Sequence, residues 1–266
     1  MPQLMQPVSV EMILEHKEDC PFCKSNEEEK PNPLPKSKMV ADYEEDPDDF
    51  LISNNAGELE RNMDDERPND WIIDISDLVT PADATLTATA SEHKVTPNPH
   101  HLIPGNEALK KSESILPWIF ADKGKIENDI GYNVNNGENG VWLPSNNSMR
   151  GVAWWTGGAA LAKKTKYVVR AMDKAGGHFH DRHNAPYSAF VTKILNKIAD
   201  RMNGEQDSKC PFKTEEGSGK FKPPWALVKR LNGVSKRIQP WLSAGAAPNM
   251  QLYTSKLVTL YWKSKA

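Results

Sequence analysis

Two adjacent histidines, His100 and His101, stand between prolines and are the first residues whose types and spacing could do chemistry. His178, His180 and His183 follow within one six-residue segment, so five of the seven histidines fall in two short stretches. Neutral imidazole binds divalent metal ions and accepts a proton near neutral pH. A single histidine is more often structural, but this clustering favours a catalytic metal site. Adjacent residues of a strand point to opposite faces, so the adjacent pair must divide its roles.

Two segments are expected to position these histidines. Residues 184–202 carry apolar side chains at helical spacing directly after the second cluster, which predicts a helix with Pro186 in its first turn and Gly204 at its end. Residues 131–144 are rich in Asn and Gly and then apolar, which predicts a turn leading into a short strand. The sequence therefore predicts an α+β fold.

The charge of the chain is segregated, although the net charge is only -3. Residues 1–95 contain 23 acidic and 8 basic residues, whereas the remainder contains 13 acidic and 25 basic residues. A basic body captures phosphate backbones, and an acidic segment can shield it. We place a domain boundary near residue 90. It divides an acidic, partly disordered region, residues 1–90, from a basic domain, residues 91–266.

Within the acidic region, residues 41–70 form a strongly acidic run that is typical of a flexible connector. Residues 71–78 are a short apolar island that predicts a strand or a docking segment. Cys20 and Cys23 have the spacing of a zinc knuckle with His16 upstream, but a free or redox-active pair fits equally well. The sequence has neither an apolar run that spans a bilayer nor a secretory signal, so we expect synthesis in the cytoplasm and no membrane partner.

Three ordered motifs carry a resemblance to a known family. They are HHLIP at residues 100–104, NGVWLP at residues 139–144, and the histidine cluster that precedes a Tyr-containing helix. Together, over about residues 95–200, they resemble the AHH-type branch of the HNH/endonuclease VII nucleases. The sequence departs from that pattern at Pro99, where the family usually has Ala, and in the spacing of the last cluster.

The resemblance implies an α+β fold whose core is the ββα-metal arrangement of the HNH/endonuclease VII type, with helical and loop additions. It implies that His100 binds one divalent metal ion, completed by His180 or His183. It also implies that His101 is the general base and that Asn139 orients it through a hydrogen bond. The first choice of ion is Mg²⁺, with Mn²⁺, Ni²⁺ or Zn²⁺ as alternatives.

The implied function is a sequence-nonspecific DNA endonuclease that acts as an antibacterial toxin, exported through a type VI or similar system into the cytoplasm of target cells. The expected partners are DNA, a cognate immunity protein, and a secretion component or chaperone at the N-terminal region. Arg182, Lys163, Lys164 and Lys166 could hold backbone phosphates, although a solvated face explains the lysines equally well. The alternatives are an intracellular phage- or restriction-type nuclease and a non-catalytic, zinc-stabilised nucleic-acid-binding module.

Overall fold

The computed structural model describes residues 51–79, 92–150, 155, 161–207, 220–243 and 254–265. The predicted Cys20–Cys23 site and the first 50 residues lie outside these ranges. The strands are β1 (Trp71–Ile73), β2 (His93–Val95), β3 (Pro97–His101) and β4 (Gly140–Pro144). The helices are α1 (Ala56–Asn62), α2 (Leu161–Ala175), α3 (Ala185–Asp207), α4 (Ala226–Ser243) and α5 (Lys256–Lys265). This mixture of helices and small sheets confirms the predicted α+β class.

The described strands form two antiparallel pairs, β1–β2 and β3–β4. In the second pair the register runs from Pro97 opposite Pro144 to His101 opposite Gly140. Two prolines are tolerated in β3 because a two-stranded sheet leaves one edge of each strand without a backbone partner. Strand β4 confirms the turn and strand predicted for residues 131–144.

Helix α3 confirms the amphipathic helix predicted for residues 184–202. The Asn184 carbonyl accepts the Ser188 N–H at 3.0 Å, and Pro186 occupies the first turn, where no helical N–H partner is required. The predicted end at Gly204 is wrong, because the helix continues to Asp207. Gly176, by contrast, adopts a left-handed φ of 75° directly after α2 and ends that helix.

Two groups of buried apolar side chains hold the elements together. The first packs α3 and α4 against the β3–β4 hairpin and the long segment between its strands. The second joins β1, β2, α2 and α5. Representative members of the first are Leu102, Ile103, Leu143, Tyr187, Leu231 and Ile238, and of the second Ile73, Val95, Tyr167, Val168, Phe179 and Val258.

Residues 51–63 pack against the rest of the protein, so the predicted flexible connector is wrong for this part of the acidic run. Asn55 caps α1 by accepting the Glu58 N–H at 3.0 Å, and Glu58 and Leu59 are buried. The apolar island at residues 71–78 contributes β1, which pairs with β2 on the other side of residue 90. Residues 51–79 therefore share a core with the basic part of the chain. Within the described ranges, no helix has the length and apolarity needed to cross a membrane.

Candidate metal centre

The histidine pair lies at the end of β3, where it faces the last turn before β4. His100 is fully buried and His101 is 3% exposed. Their positions are set by the hairpin register, in which His100 lies opposite Val141 and His101 opposite Gly140. Rigid, paired backbone of this kind fixes the directions in which the two rings project.

The second histidine cluster reaches the first through a backbone contact between distant segments. The His180 N–H donates to the Pro144 carbonyl at 2.7 Å, which lays the segment before α3 alongside the end of β4. As a result the ring of His100 lies 4.6 Å from that of His180 and 4.8 Å from that of His183, between centroids. The Tyr187 ring, one turn into α3, lies 5.7 Å from His100, and its hydroxyl donates to the Leu102 carbonyl at 2.6 Å.

Three of these imidazoles converge as a metal site would require. Ligand atoms of His100, His180 and His183 all lie within 4.8 Å of one another. Both ring nitrogens of His100 and Nε2 of His183 are buried without a hydrogen-bond partner. Buried polar atoms without partners are costly, and a metal ion would satisfy one nitrogen of each ring. The donor set therefore fits a divalent ion, and both His180 and His183, which the sequence offers as alternatives, belong to it.

Burial keeps His100 and His180 in the neutral form that binds metals. Loss of solvation drives the pKa of His100 well below its ordinary value and lowers that of His180 to about 3. Neighbouring imidazoles add to both effects, because two positive rings at this distance repel each other. At neutral pH these two rings are consequently uncharged nitrogen donors.

Polar side chains contact two of these imidazoles. The Asn98 amide nitrogen lies 2.8 Å from His180 Nδ1, and because an amide nitrogen only donates, Nδ1 accepts and the proton of the neutral ring is on Nε2. A Glu107 carboxylate oxygen lies 3.4 Å from His183 Nδ1. The hydrogen bond with His183 holds the pKa of Glu107 down at about 2, so this carboxylate is charged. A carboxylate behind one ring nitrogen directs the other, Nε2, toward the metal and increases its basicity.

His101 stands beside the ligand set and has a different partner. Its Nε2 lies 2.8 Å from Asn135 Oδ1. Since a carboxamide oxygen only accepts, Nε2 carries the proton and Nδ1 keeps the free lone pair. Burial lowers the pKa of His101 to about 4, so the ring is neutral at physiological pH. Its centroid is 6.3 Å from that of His183. The two adjacent histidines thus have different surroundings: His100 lies in the imidazole cluster, whereas His101 is paired with Asn135.

The predicted hydrogen bond from Asn139 to His101 is not formed. Asn139 Oδ1 accepts the Ile103 N–H and the Ser235 hydroxyl, both at 2.7 Å. Its Nδ2 donates to the Ile103 carbonyl at 3.0 Å and to the Val134 carbonyl at 2.7 Å. These four bonds use the whole capacity of a carboxamide. Asn139 therefore fastens the loop between β3 and β4.

Arg182 lies next to the cluster in the segment that leads into α3. Its side chain is 74% exposed, and its Nε lies 4.0 Å from the Asp181 carboxylate. An exposed guanidinium at this distance from its partner retains the ability to bind a phosphate. It directly precedes His183 in the chain.

The predicted lysines occupy α2, which belongs to the second core. Lys166 pairs with Asp77 at 3.0 Å, and the Lys164 ammonium lies 5.3 Å from the centre of the Trp155 ring. Lys163 lies on the same helix. Lys164 and Lys166 therefore already contact other residues of the protein, Trp155 and Asp77.

An open groove of about 720 Å³ adjoins His183 along the exposed side of α3. Its lining includes Lys111, Lys193 and Lys197, with Glu107 near the metal centre. Sequence reasoning missed these lysines, although two of them stand four residues apart on the polar face of the predicted helix. It also missed Asn98, Asn135 and Glu107. For the two asparagines the signal was an Asn-rich composition near the motifs.

The comparisons with known proteins agree with this geometry. The model of the AHH family, described as a nuclease family of the HNH/ENDO VII superfamily with conserved AHH, matches residues 83–215, half of the chain. That range contains the β3–β4 hairpin and the histidine segment that precedes α3, together with the whole of that helix. No match was found among curated proteins or solved structures. The match and the hairpin-and-helix histidine cluster lead to one conclusion: the chain belongs to the AHH nuclease family of the HNH/ENDO VII superfamily.

Proposed function

We propose that this nuclease is a metal-dependent endonuclease that hydrolyses phosphodiester bonds in DNA with little sequence specificity. The observation that carries the proposal is a cluster of three imidazoles with a fourth held by a separate partner. Potential ligand atoms of His100, His180 and His183 lie within 4.8 Å of one another, whereas His101 is held by Asn135. A structural zinc site has four protein ligands, but a catalytic site leaves positions open for substrate.

The proposed mechanism uses His101 as the general base. With Nε2 donating to Asn135, Nδ1 is the atom that takes a proton from the attacking water. A bound divalent ion supplies Lewis acidity that neutralises the scissile phosphate and stabilises the departing oxygen. Arg182 holds a neighbouring phosphate, because it is exposed and adjoins the ligand His183.

The donor set bears on the choice of ion. Mg²⁺ prefers oxygen ligands, whereas imidazole suits first-row transition ions. The three proposed ligands are all nitrogen donors. We therefore propose Zn²⁺, Ni²⁺ or Mn²⁺ ahead of Mg²⁺, the ion expected from the family resemblance alone.

We propose that the groove beside His183 receives the nucleic-acid backbone. Lys111, Lys193 and Lys197 line it and bring positive charge to one side of the metal centre. Contacts of this kind bind phosphates without reading bases, which supports low sequence specificity. A weaker contribution to phosphate binding is proposed for Lys163, Lys164 and Lys166. Of these, Lys164 and Lys166 already contact Trp155 and Asp77.

We further propose that the enzyme is an antibacterial toxin, exported by a type VI or similar secretion system and active in the cytoplasm of target cells. The acidic region before residue 51 would then bind a chaperone or a secretion component, and a cognate immunity protein would cover the basic groove. The strong segregation of charge between the two parts of the chain supports this arrangement.

The test is expression of the wild type, His101→Ala and His93→Asn in a bacterium, followed by inspection of genomic DNA. His93 is a half-buried histidine of β2 and serves as the matched control. We expect the wild type and the control to degrade DNA and His101→Ala to leave it intact. Degradation by His101→Ala would overturn the assignment of the base, and toxicity with intact DNA and cleaved RNA would overturn the choice of substrate.

A further inference from the structure

A segment upstream of the family match lies directly behind the metal centre. We call residues 51–63 the strap. It precedes residue 83, where the match to the family begins, and it contains α1. Its backbone and its Asn side chains reach two loops that carry site residues, at residues 104–107 and 133–137.

The first contact fixes the partner of the general base. The Asn55 N–H donates to Asn135 Oδ1 at 2.8 Å, and Asn135 Nδ2 donates to the Ser53 carbonyl at 3.0 Å. The same Oδ1 faces His101 Nε2 at 2.8 Å. Because the strap binds the oxygen and the nitrogen of this amide, the amide cannot turn its nitrogen toward His101. The strap thereby determines which nitrogen of that ring carries the proton.

The second contact lies behind a metal ligand. Asn54 Nδ2 donates to Glu107 Oε2 at 2.8 Å, and Asn54 Oδ1 accepts the Gly105 N–H at 2.7 Å. The same oxygen, Glu107 Oε2, lies 3.4 Å from His183 Nδ1. A single strap residue therefore holds both the carboxylate that orients His183 and the turn that carries this carboxylate.

The loops are shaped to receive the strap at van der Waals contact. A Cβ added to Gly105 would stand 2.0 Å from the Ile52 carbonyl oxygen. A Cβ added to Gly137 would stand 2.0 Å from the carbonyl oxygen of Asn62. Any other residue at these positions would collide with backbone, which has little freedom to move. The close approach shows that the two loops and the strap form one packed unit.

From these contacts we propose that the strap is part of the catalytic centre, where Asn135 is a positioning residue for His101 and Asn54 is a positioning residue for His183. The inference rests on the proposed nuclease function. It extends the functional unit at least 30 residues upstream of the family match, from residue 83 to residue 51 or earlier.

The test uses the full chain with single substitutions. Asn135→Leu removes the acceptor for His101, and Asn135→Asp restores an oxygen at the same place. We expect kcat to fall by about 10- to 100-fold in the Leu variant with KM for DNA unchanged, and to recover in part in the Asp variant. Equal losses in the two variants would mean that the side chain is merely structural and would overturn the proposal.

Asn54→Ala tests the second contact. We expect affinity for Zn²⁺ or Ni²⁺ to fall by about 10-fold, because the carboxylate behind His183 loses its support. Glu113→Ala, an exposed change outside the strap, is the control and should bind metal and cleave DNA like the wild type. Wild-type metal affinity in Asn54→Ala would contradict this part of the proposal.

A spectroscopic measurement separates this inference from the proposed function. In proton NMR, the buried His101 Nε2–H should give a slowly exchanging low-field signal that is lost in His101→Ala and in Asn135→Leu. Persistence of that signal in Asn135→Leu overturns the proposed contact, whether or not the protein cleaves DNA. Absence of all cleavage by the wild type would overturn the nuclease proposal while the signal still decides the contact.

Discussion

Asn139 and Ile103 are joined by two hydrogen bonds, in which the Asn139 carboxamide accepts from the Ile103 N–H at 2.7 Å and donates to its carbonyl at 3.0 Å. These two hydrogen bonds close the loop between β3 and β4 next to His100 and His101. Residue 139 thus acts on the metal centre through the backbone that carries it.

Asn139→Ala should lower the free energy of unfolding by about 2–4 kcal/mol, since several buried backbone groups and the Ser235 hydroxyl lose their partner. Urea denaturation measures the change. Asn196→Ala is the control. Asn196 is half-buried and its Oδ1 accepts the Ser114 hydroxyl, so its loss should lower the free energy of unfolding by about 1 kcal/mol or less. A similar small loss at Asn139 would contradict the role given to this amide.

Metal affinity should depend on three histidines and be insensitive to the fourth. Alanine at His100, His180 or His183 should weaken Zn²⁺ or Ni²⁺ binding by at least about 100-fold, because outer-shell changes alone cost about 10- to 100-fold. His101→Ala should bind the ion like the wild type. Competition with a fluorescent chelator gives the dissociation constants. Strong loss of binding in His101→Ala would place this ring among the ligands.

Acid should destabilise the metal-free protein well above the pH at which carboxylates titrate. The pKa values of His101 and His180 are lowered to about 4 and about 3, below the 6.5 of a free imidazole. Between these limits the unfolded chain binds more protons than the folded one, so stability falls as pH falls through about 6.5. Each ring should cost about 1–2 kcal/mol at pH 5.

Chemical denaturation of the metal-free protein at pH 7.5 and pH 5.0 measures this loss. His180→Asn should show a smaller decrease than the wild type, because one buried ring no longer takes up a proton on unfolding. Stability that stays constant between the two pH values would show that the imidazoles are not held neutral by burial.

Substrate binding should be sensitive to salt through the groove lysines. Replacing Lys193 and Lys197 by Ala should weaken DNA binding and reduce the slope of log affinity against log salt by about 0.9 for each lost phosphate contact. Lys94→Ala, an exposed change on β2 that does not line the groove, is the comparison and should change the slope little. Fluorescence anisotropy with His101→Ala as the background measures binding without cleavage.

The sequence predicted those parts of the molecule whose signals are local. Helix α3 follows from its apolar spacing, and the spatial cluster of His100, His180 and His183 follows from the clustering of histidines in the sequence. Asn135 was missed because its contacts with Asn55 and His101 span 80 and 34 residues. Its position in an Asn- and Gly-rich segment is equally typical of a simple turn.

The strap was missed for a different reason. It lies within the acidic run of residues 41–70, whose composition is typical of a flexible segment, but Glu58 is buried and its carboxylate accepts the Asn133 amide at 3.0 Å. A count of charges does not reveal which carboxylates find a hydrogen-bond donor in the folded chain. Polar side chains that bind a distant loop resemble solvated ones until the fold is known.

The hydrogen bond between Ser235 and Asn139 joins residues 96 positions apart. During synthesis, a chain that has just released His100 and His101 from the ribosome still lacks both remaining ligands and the helix that carries Ser235. The strap is synthesised early, and the loops that it contacts follow it by some 50 to 80 residues. Contacts between residues so far apart in the sequence form late, after most of the chain has emerged. The site can thus assemble only after the helix that carries Ser235 has been synthesised, well after the histidine pair has left the ribosome.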